Sequence, residues 1–138
     1  MAEDVMIVSD QTQDLGTVVV LNRDLFFGVR LRELLTGAGY RVVIVPNTAT
    51  FVERIKADPD AFTLGLIDMG AGVDWAEIQG LDNAETQRPP LLVFGPHKDV
   101  DGFRAAKNSG VDRIVANSEF HRNALGLVQR YARGNPRA

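Results

Sequence analysis

Apolar residues recur along the chain in five short runs at wide intervals: Thr17–Leu21, Arg41–Val45, Leu64–Asp68, Leu91–Gly95 and Asp112–Ala116. Each is about five residues long and mostly lacks alternation, the pattern of strands buried on both faces of a parallel sheet. Valine and isoleucine dominate the runs, which suits a pleated, buried backbone. Between them the period changes to that of a helix. Phe27, Leu31, Leu34, Leu35 and Ala38 fall on one helical face, and the "GAG" at 37–39 stops it. Thr50 and Glu53 have capping-box spacing at the start of a second stripe of Phe51, Val52 and Ile55, and "ADPD" at 57–60 closes it. Trp75, Ile78 and Leu81 give a short third face. Val100, Phe103 and Ala106 give a fourth, ended by Gly110 in a left-handed cap. Ser118 reads as the N-cap of a fifth helix, with Phe120, Ala124, Leu127, Val128 and Tyr131 along one side.

Strand–helix alternation with short connections predicts an α/β fold of (βα)5 type: a three-layer sandwich with a parallel five-stranded sheet and right-handed crossovers. For five strands the expected order is 2-1-3-4-5, the flavodoxin-like arrangement. The domain spans 17–133. Residues 1–16 read as a flexible N-terminal extension, in which "MIVSD" has the pattern of a strand that could pair with a sheet edge. Residues 134–138 read as a tail.

Composition narrows the chemistry. A chain of 138 residues without cysteine has no disulfide framework, thiol nucleophile or thiolate zinc site. A formal charge of −3 argues against a nucleic-acid surface. The N-terminus is acidic and lacks the basic region of a signal peptide. No apolar run approaches the roughly 20 residues of a membrane span. These features predict a cytoplasmic protein with neither nucleic-acid nor membrane partners.

In an open α/β sheet, ligands bind beyond the carboxyl ends of the strands where the strand order reverses. The residues emerging there are Asn22, Arg23 and Asp24 after strand one, Asp68 after strand three, Gly95 after strand four, and Asn117 and Ser118 after strand five. His97 follows in "GPHKD" near the same mouth.

With these residues in view, the chain resembles the receiver domains of bacterial two-component response regulators. "VVVLNRD" is similar to the first strand and its acidic turn in that family. "LGLIDMG" is similar to the strand that ends in the phosphoacceptor aspartate. "LLVFGPHKD" and "SGVDRIVANSEF" are similar to the fourth and fifth strands with their turns. The resemblance covers roughly 17–133 and implies a place in signalling or a phosphorelay. Position by position, the chemistry it implies is largely missing. Receivers hold magnesium with acids after strand one, where this chain has Asn22 and Arg23, with Asp24 one position late. They use a hydroxyl residue where Gly95 stands, and a lysine where Asn117 stands. An aromatic often found in the fifth strand is replaced by Ile114. Only Asp68 is in its expected place.

Physical chemistry points the same way. Phosphoryl transfer needs positioned cations to neutralise developing charge, and magnesium needs oxygen ligands, usually including carboxylates. A guanidinium in place of a ligand carboxylate changes the local charge by about two units, a cation where the metal would lie. The expectation is therefore a degenerate, non-catalytic pseudo-receiver that binds no cofactor or metal. Arg23 would pair with Asp68 and lower its pKa. The protein would work through contacts with a protein partner or a second copy. In the family, the fourth helix, fifth strand and fifth helix form that surface, here about Asp101–Asn108, Arg113–Val115 and Glu119–Arg133. Two other readings stay open: a divergent phospho-accepting regulator using Asp68, and a small-ligand or anion sensor at the strand ends using Arg23, Asn22, His97 and Asn117, with Ser118 as a further candidate contact. Nothing supports an enzyme on this fold: His97 and Asp99 lie on a turn without an evident nucleophile, and His121, the only other histidine, has no metal-ligand spacing to it.

Overall fold

The computed structural model describes residues 14–82 and 87–134. Five parallel strands form one sheet: β1 (Thr17–Leu21), β2 (Arg41–Val45), β3 (Phe62–Asp68), β4 (Leu91–Gly95) and β5 (Arg113–Ala116). Their order is 2-1-3-4-5, as expected from the alternation of elements. The helices are α1 (Leu25–Gly37), α2 (Thr48–Ala57), α3 (Trp75–Gln79), α4 (Val100–Asn108) and α5 (Asn117–Tyr131). Short 3-10 turns flank β3 at Pro59–Ala61 and Met69–Ala71.

The absence of alternation in β1 has a direct cause. Val18 and Val20 enter the core on the side of α1 and α5, while Val19 and Leu21 enter the core on the side of α2, α3 and α4. All four are completely buried, so both faces of this central strand must be apolar. β3 and β4 follow the same rule, with Leu64, Leu66 and Leu92 on one side and Ile67, Leu91 and Val93 on the other. Gly65 in β3 makes room for the other layer: a Cβ there would lie 2.7 Å from Leu91 Cδ2 and 3.0 Å from Phe51 Cζ.

Several local expectations are corrected. β3 begins two residues earlier than its apolar run, at Phe62, and pairs with β1 through a register shift between Thr17 and Val18. The cap of α2 is Asn47, whose side-chain Oδ1 accepts from Thr50 N at 2.8 Å, so Thr50 lies inside the helix and makes no capping box. Asparagine is as good a cap as threonine and lies at the correct end of β2. Likewise Ser118 does not cap α5. The helix starts at Asn117 after Ala116, with no side-chain cap. Leu34 and Val100, placed on buried helical faces by their spacing, are 43% and 59% exposed. Gly110, by contrast, does take the left-handed conformation after α4, with φ of 88°.

The lower end of the sheet is tied to flanking chain. Leu15 N donates to Gly39 O, Arg41 N donates to Gly16 O, and Leu15 packs on the core. Arg133, just after α5, donates to the carbonyl groups of Phe62, Gln87, Arg88 and Pro59. The "MIVSD" run and residues 135–138 of the expected tail lie outside the described residues.

Candidate functional site

The strand ends bring Asp24, Asp68 and Asn117 around one cavity of about 330 Å3. Arg30 and His121 also face it, and Phe27 and Phe94 supply its apolar lining. Each acid is placed by a local turn. Asp24 caps α1, with Oδ1 accepting from Phe27 N at 3.1 Å. Asp68 ends β3 and accepts from Gly70 N at 2.8 Å, which folds the chain into the following 3-10 turn.

Asn22 is buried but does not offer its amide to the cavity. Its Nδ2 donates to Asp24 O at 2.8 Å and its Oδ1 accepts from Asp24 N at 3.1 Å. Both ends of the carboxamide are thus spent on shaping the β1–α1 turn. An aspartate at this position could accept from Asp24 N but could not donate to Asp24 O.

Arg23 overturns the expected ion pair. It is exposed and lines a different cleft, between α1 and β2. Among the described residues it makes no ion pair with Asp68, and it does not shift the titration of that carboxyl. The Asp68 pKa is raised, not lowered. Burial is the main cause, and the Asp24 charge adds to it. The hydrogen bond from Gly70 and the nearby His121 act in the opposite direction without prevailing. Arg23 and Asp24 share the outer cleft, and of the two Asp24 alone also lines the cavity that holds Asp68.

Gly95 ends β4 beside the Met69 side chain. A Cβ at position 95 would lie 2.8 Å from Met69 Cβ, closer still to its sulfur, and in contact with its Cγ. Met69 also reaches Gly102 of α4, where a Cβ would lie 2.5 Å from Met69 Cε. Gly95 therefore accommodates the methionine, and Gly102 leaves room both for its Cε and for the Asp99 carboxylate that caps α4. His97 and Ser118 are exposed and line none of the cavities described here.

The two polar cavity residues missed in the sequence are Arg30 and His121. Arg30 is one position from Leu31 and three from Phe27 on α1, so a helical projection from the buried stripe would have put it at the rim. His121 follows the buried Phe120, whose ring stacks on Phe94 with centroids 4.1 Å apart. The His121 ring meets Phe27 edge-on at 5.2 Å. Asn123, with φ of −143° and ψ of 42°, breaks the helix two residues later.

The cavity is poorer in ligands for a magnesium ion than the receiver site that the sequence resembles. Among the described residues two carboxylates face the cavity, within the one or two that magnesium commonly uses, but one already caps a helix. Asn22 is committed to its turn, and two basic side chains, Arg30 and His121, lie at the same opening. Among the described residues, no cluster of three His, Asp or Glu side chains could hold a metal.

Two substitutions test this geometry. Partial burial of a charged Asp68 costs some stability, reduced by solvent screening, once the pH exceeds the carboxyl's unfolded value of 3.8, and the cost grows until the raised folded pKa is passed. Asp68→Asn keeps an acceptor for Gly70 and is expected to melt higher than the parent at pH 7, with the difference fading as the pH falls below the unfolded value. A lower melting temperature at pH 7 would contradict the burial of the charge. Gly95→Thr is expected to lose about 1–3 kcal/mol by overpacking. In urea titrations, the Met69→Ala/Gly95→Thr pair should be less destabilised than the sum of the single changes. Strict additivity would show that Met69 does not hold that space.

No protein-family model and no curated protein sequence matches the chain. Solved structures do match its fold. Chemotaxis response regulator CheY4 of Vibrio cholerae superposes with a TM-score of 0.71 at 13% identity, over 85% of this chain and 98% of that one. The phosphorylated cyanobacterial phytochrome response regulator RcpA gives 0.68 at 15% identity, over 84% and 93%. A structure from a family of streptococcal redox sensors, described as evolved from two-component response regulators, gives 0.71 at 13% identity, over 86% of this chain and 52% of that one. The chain therefore has the fold of response-regulator receiver domains.

Proposed function

We propose that the chain is a receiver-like regulatory domain that acts through protein contacts and has no phosphorylation cycle or catalytic activity of its own. The observation that carries this reading is Met69 lying against Gly95. The position from which a receiver would grip a phosphoryl group has no hydroxyl, and the adjoining space is occupied by a thioether. Asn22, turned into its own loop, and Asn117, uncharged, add to the deficit in metal ligands and phosphoryl partners. The streptococcal redox sensors provide a case of the same fold turned to another use.

A contact surface is available at the far edge of the sheet. β5 is an edge strand, and such strands are natural sites of pairing or cover. Beside it, Val100, Phe103 and Ile114 line a shallow cleft of about 430 Å3 with Arg104, Lys107 and Asn108 on its polar side. Apolar residues rimmed by cations suit a protein partner or a second copy with an acidic border.

A divergent phosphoacceptor is the second reading, favoured by Arg30 and His121 at the cavity that holds Asp68. These groups could offset part of the phosphoryl charge that the missing lysine leaves uncompensated. Incubation with a small-molecule phosphodonor and magnesium, followed by intact mass measurement, separates the two. The expected result is an unchanged mass. A stoichiometric phosphoryl adduct lost in Asp68→Asn would overturn the proposal in favour of the second reading.

A further inference from the structure

The cleft between α1 and the end of β2 is separate from the Asp68 cavity and has a different character. It encloses about 390 Å3, within the range of roughly 300–1,000 Å3 typical of small-molecule sites. Its apolar wall is made by Leu25 and Val29 of α1 with Ile44 and Pro46 at the end of β2. Leu25 and Val29 are 75% and 51% exposed, although an amphipathic helix normally turns its apolar stripe to the core. With Gly28 and Arg32 they occupy one helical face at i, i+3, i+4 and i+7 spacing. Gly28 keeps this face hollow: even a Cβ would come within 3.0 Å of Asn22 Nδ2 and 3.4 Å of Ile44 Cδ1. Glycine inside a helix costs about 0.5–1 kcal/mol relative to alanine, so the hollow is maintained against local helix preference.

The polar side of the cleft is cationic. Arg32 is anchored by one guanidinium nitrogen, Nη1, to Val42 O at 2.9 Å, which leaves its remaining donors for another partner. Arg23 has no hydrogen bond or ion pair among the described residues. The one acid at the cleft among the described residues, Asp24, has Oδ1 engaged at the start of α1. Two guanidinium groups beside an aliphatic wall call for a ligand with one anionic head and an apolar body: the head gains charge-assisted hydrogen bonds, and the body covers Leu25 and Val29.

We infer that this cleft binds a small amphipathic anion, of the class of an aliphatic or aryl carboxylate, with its head at Arg23 and Arg32 and its apolar part against Leu25, Val29, Ile44 and Pro46. Asp24 lines both this cleft and the Asp68 cavity, so the two sites adjoin across the β1–α1 turn. The inference does not depend on whether Asp68 accepts a phosphoryl group.

The test is a methyl-detected NMR titration of the full chain with octanoate below its micellar concentration, with octanol and acetate as probes lacking the charge and the tail. Octanoate is expected to give saturable shifts centred on Val29 and Ile44. Acetate should give none, and octanol should bind about 10-fold more weakly or worse for want of charged hydrogen bonds. Arg23→Ala should weaken octanoate to a similar degree while leaving the melting temperature of the free protein unchanged. Val29→Asp, on the apolar wall, should abolish the shifts. The inference is overturned if octanoate gives no saturable shifts, if octanol binds as tightly as octanoate, if Arg23→Ala or Val29→Asp leaves its binding intact, or if the shifts fall instead around Val100 and Phe103. Sedimentation showing that Leu25 and Val29 are already covered in a dimer, dissociated by Val29→Asp, would overturn it too and assign the face to a second copy.

Discussion

Complete burial of β1 between β2 and β3 is the constraint on which the rest depends. Apolar side chains leave this strand in both directions, so helices must cover both faces of the sheet. Parallel pairing then sends the ends of β1, β3 and β4 out on one side. The β1–α1 turn is consequently held by strands that cannot move independently. The side chains of three successive residues in that turn, Asn22, Arg23 and Asp24, go to three different tasks: closing the turn, lining the outer cleft, and capping α1 beside Asp68.

That division decides the chemistry available at the strand ends. A carboxylate partly withdrawn from water needs a compensating cation or becomes easier to protonate. Asp68 has the second fate: its neighbours include another acid, and His121 and the Gly70 amide compensate only in part. Met69 adds a packing constraint to the electrostatic one. By filling the space beside Gly95 and Gly102, it links the end of β3 to both β4 and α4 through contact with apolar atoms.

The fold was legible because burial on both faces leaves a strong mark: continuous apolar runs of strand length, separated by helical spacing. The ends of β1, β2 and β4 follow those runs directly. Caps were less legible, since Asn47 and Thr50 are both plausible beside α2 and only the position of the β2 end chooses between them. Asp24, Asp68 and Asn117 at the cavity were legible from topology. Arg30 and His121 were not, because a helical residue reaches a site through the direction of its side chain and not through its distance along the chain. The Arg23–Asp68 pair failed for the same reason. Adjacency at a strand end suggested a contact, whereas the Arg23 side chain lies in the outer cleft.

The central proposal is that the cavity beside Asp68 does not take up a divalent cation. Paramagnetic broadening by manganese(II), followed through the backbone amides of the full chain, tests it most directly. The expected result is no selective broadening at residues 22–24 and 68–70 under conditions that saturate a receiver with intact acids. Saturable broadening confined to those residues, reversed by magnesium and abolished in Asp68→Asn, would contradict it.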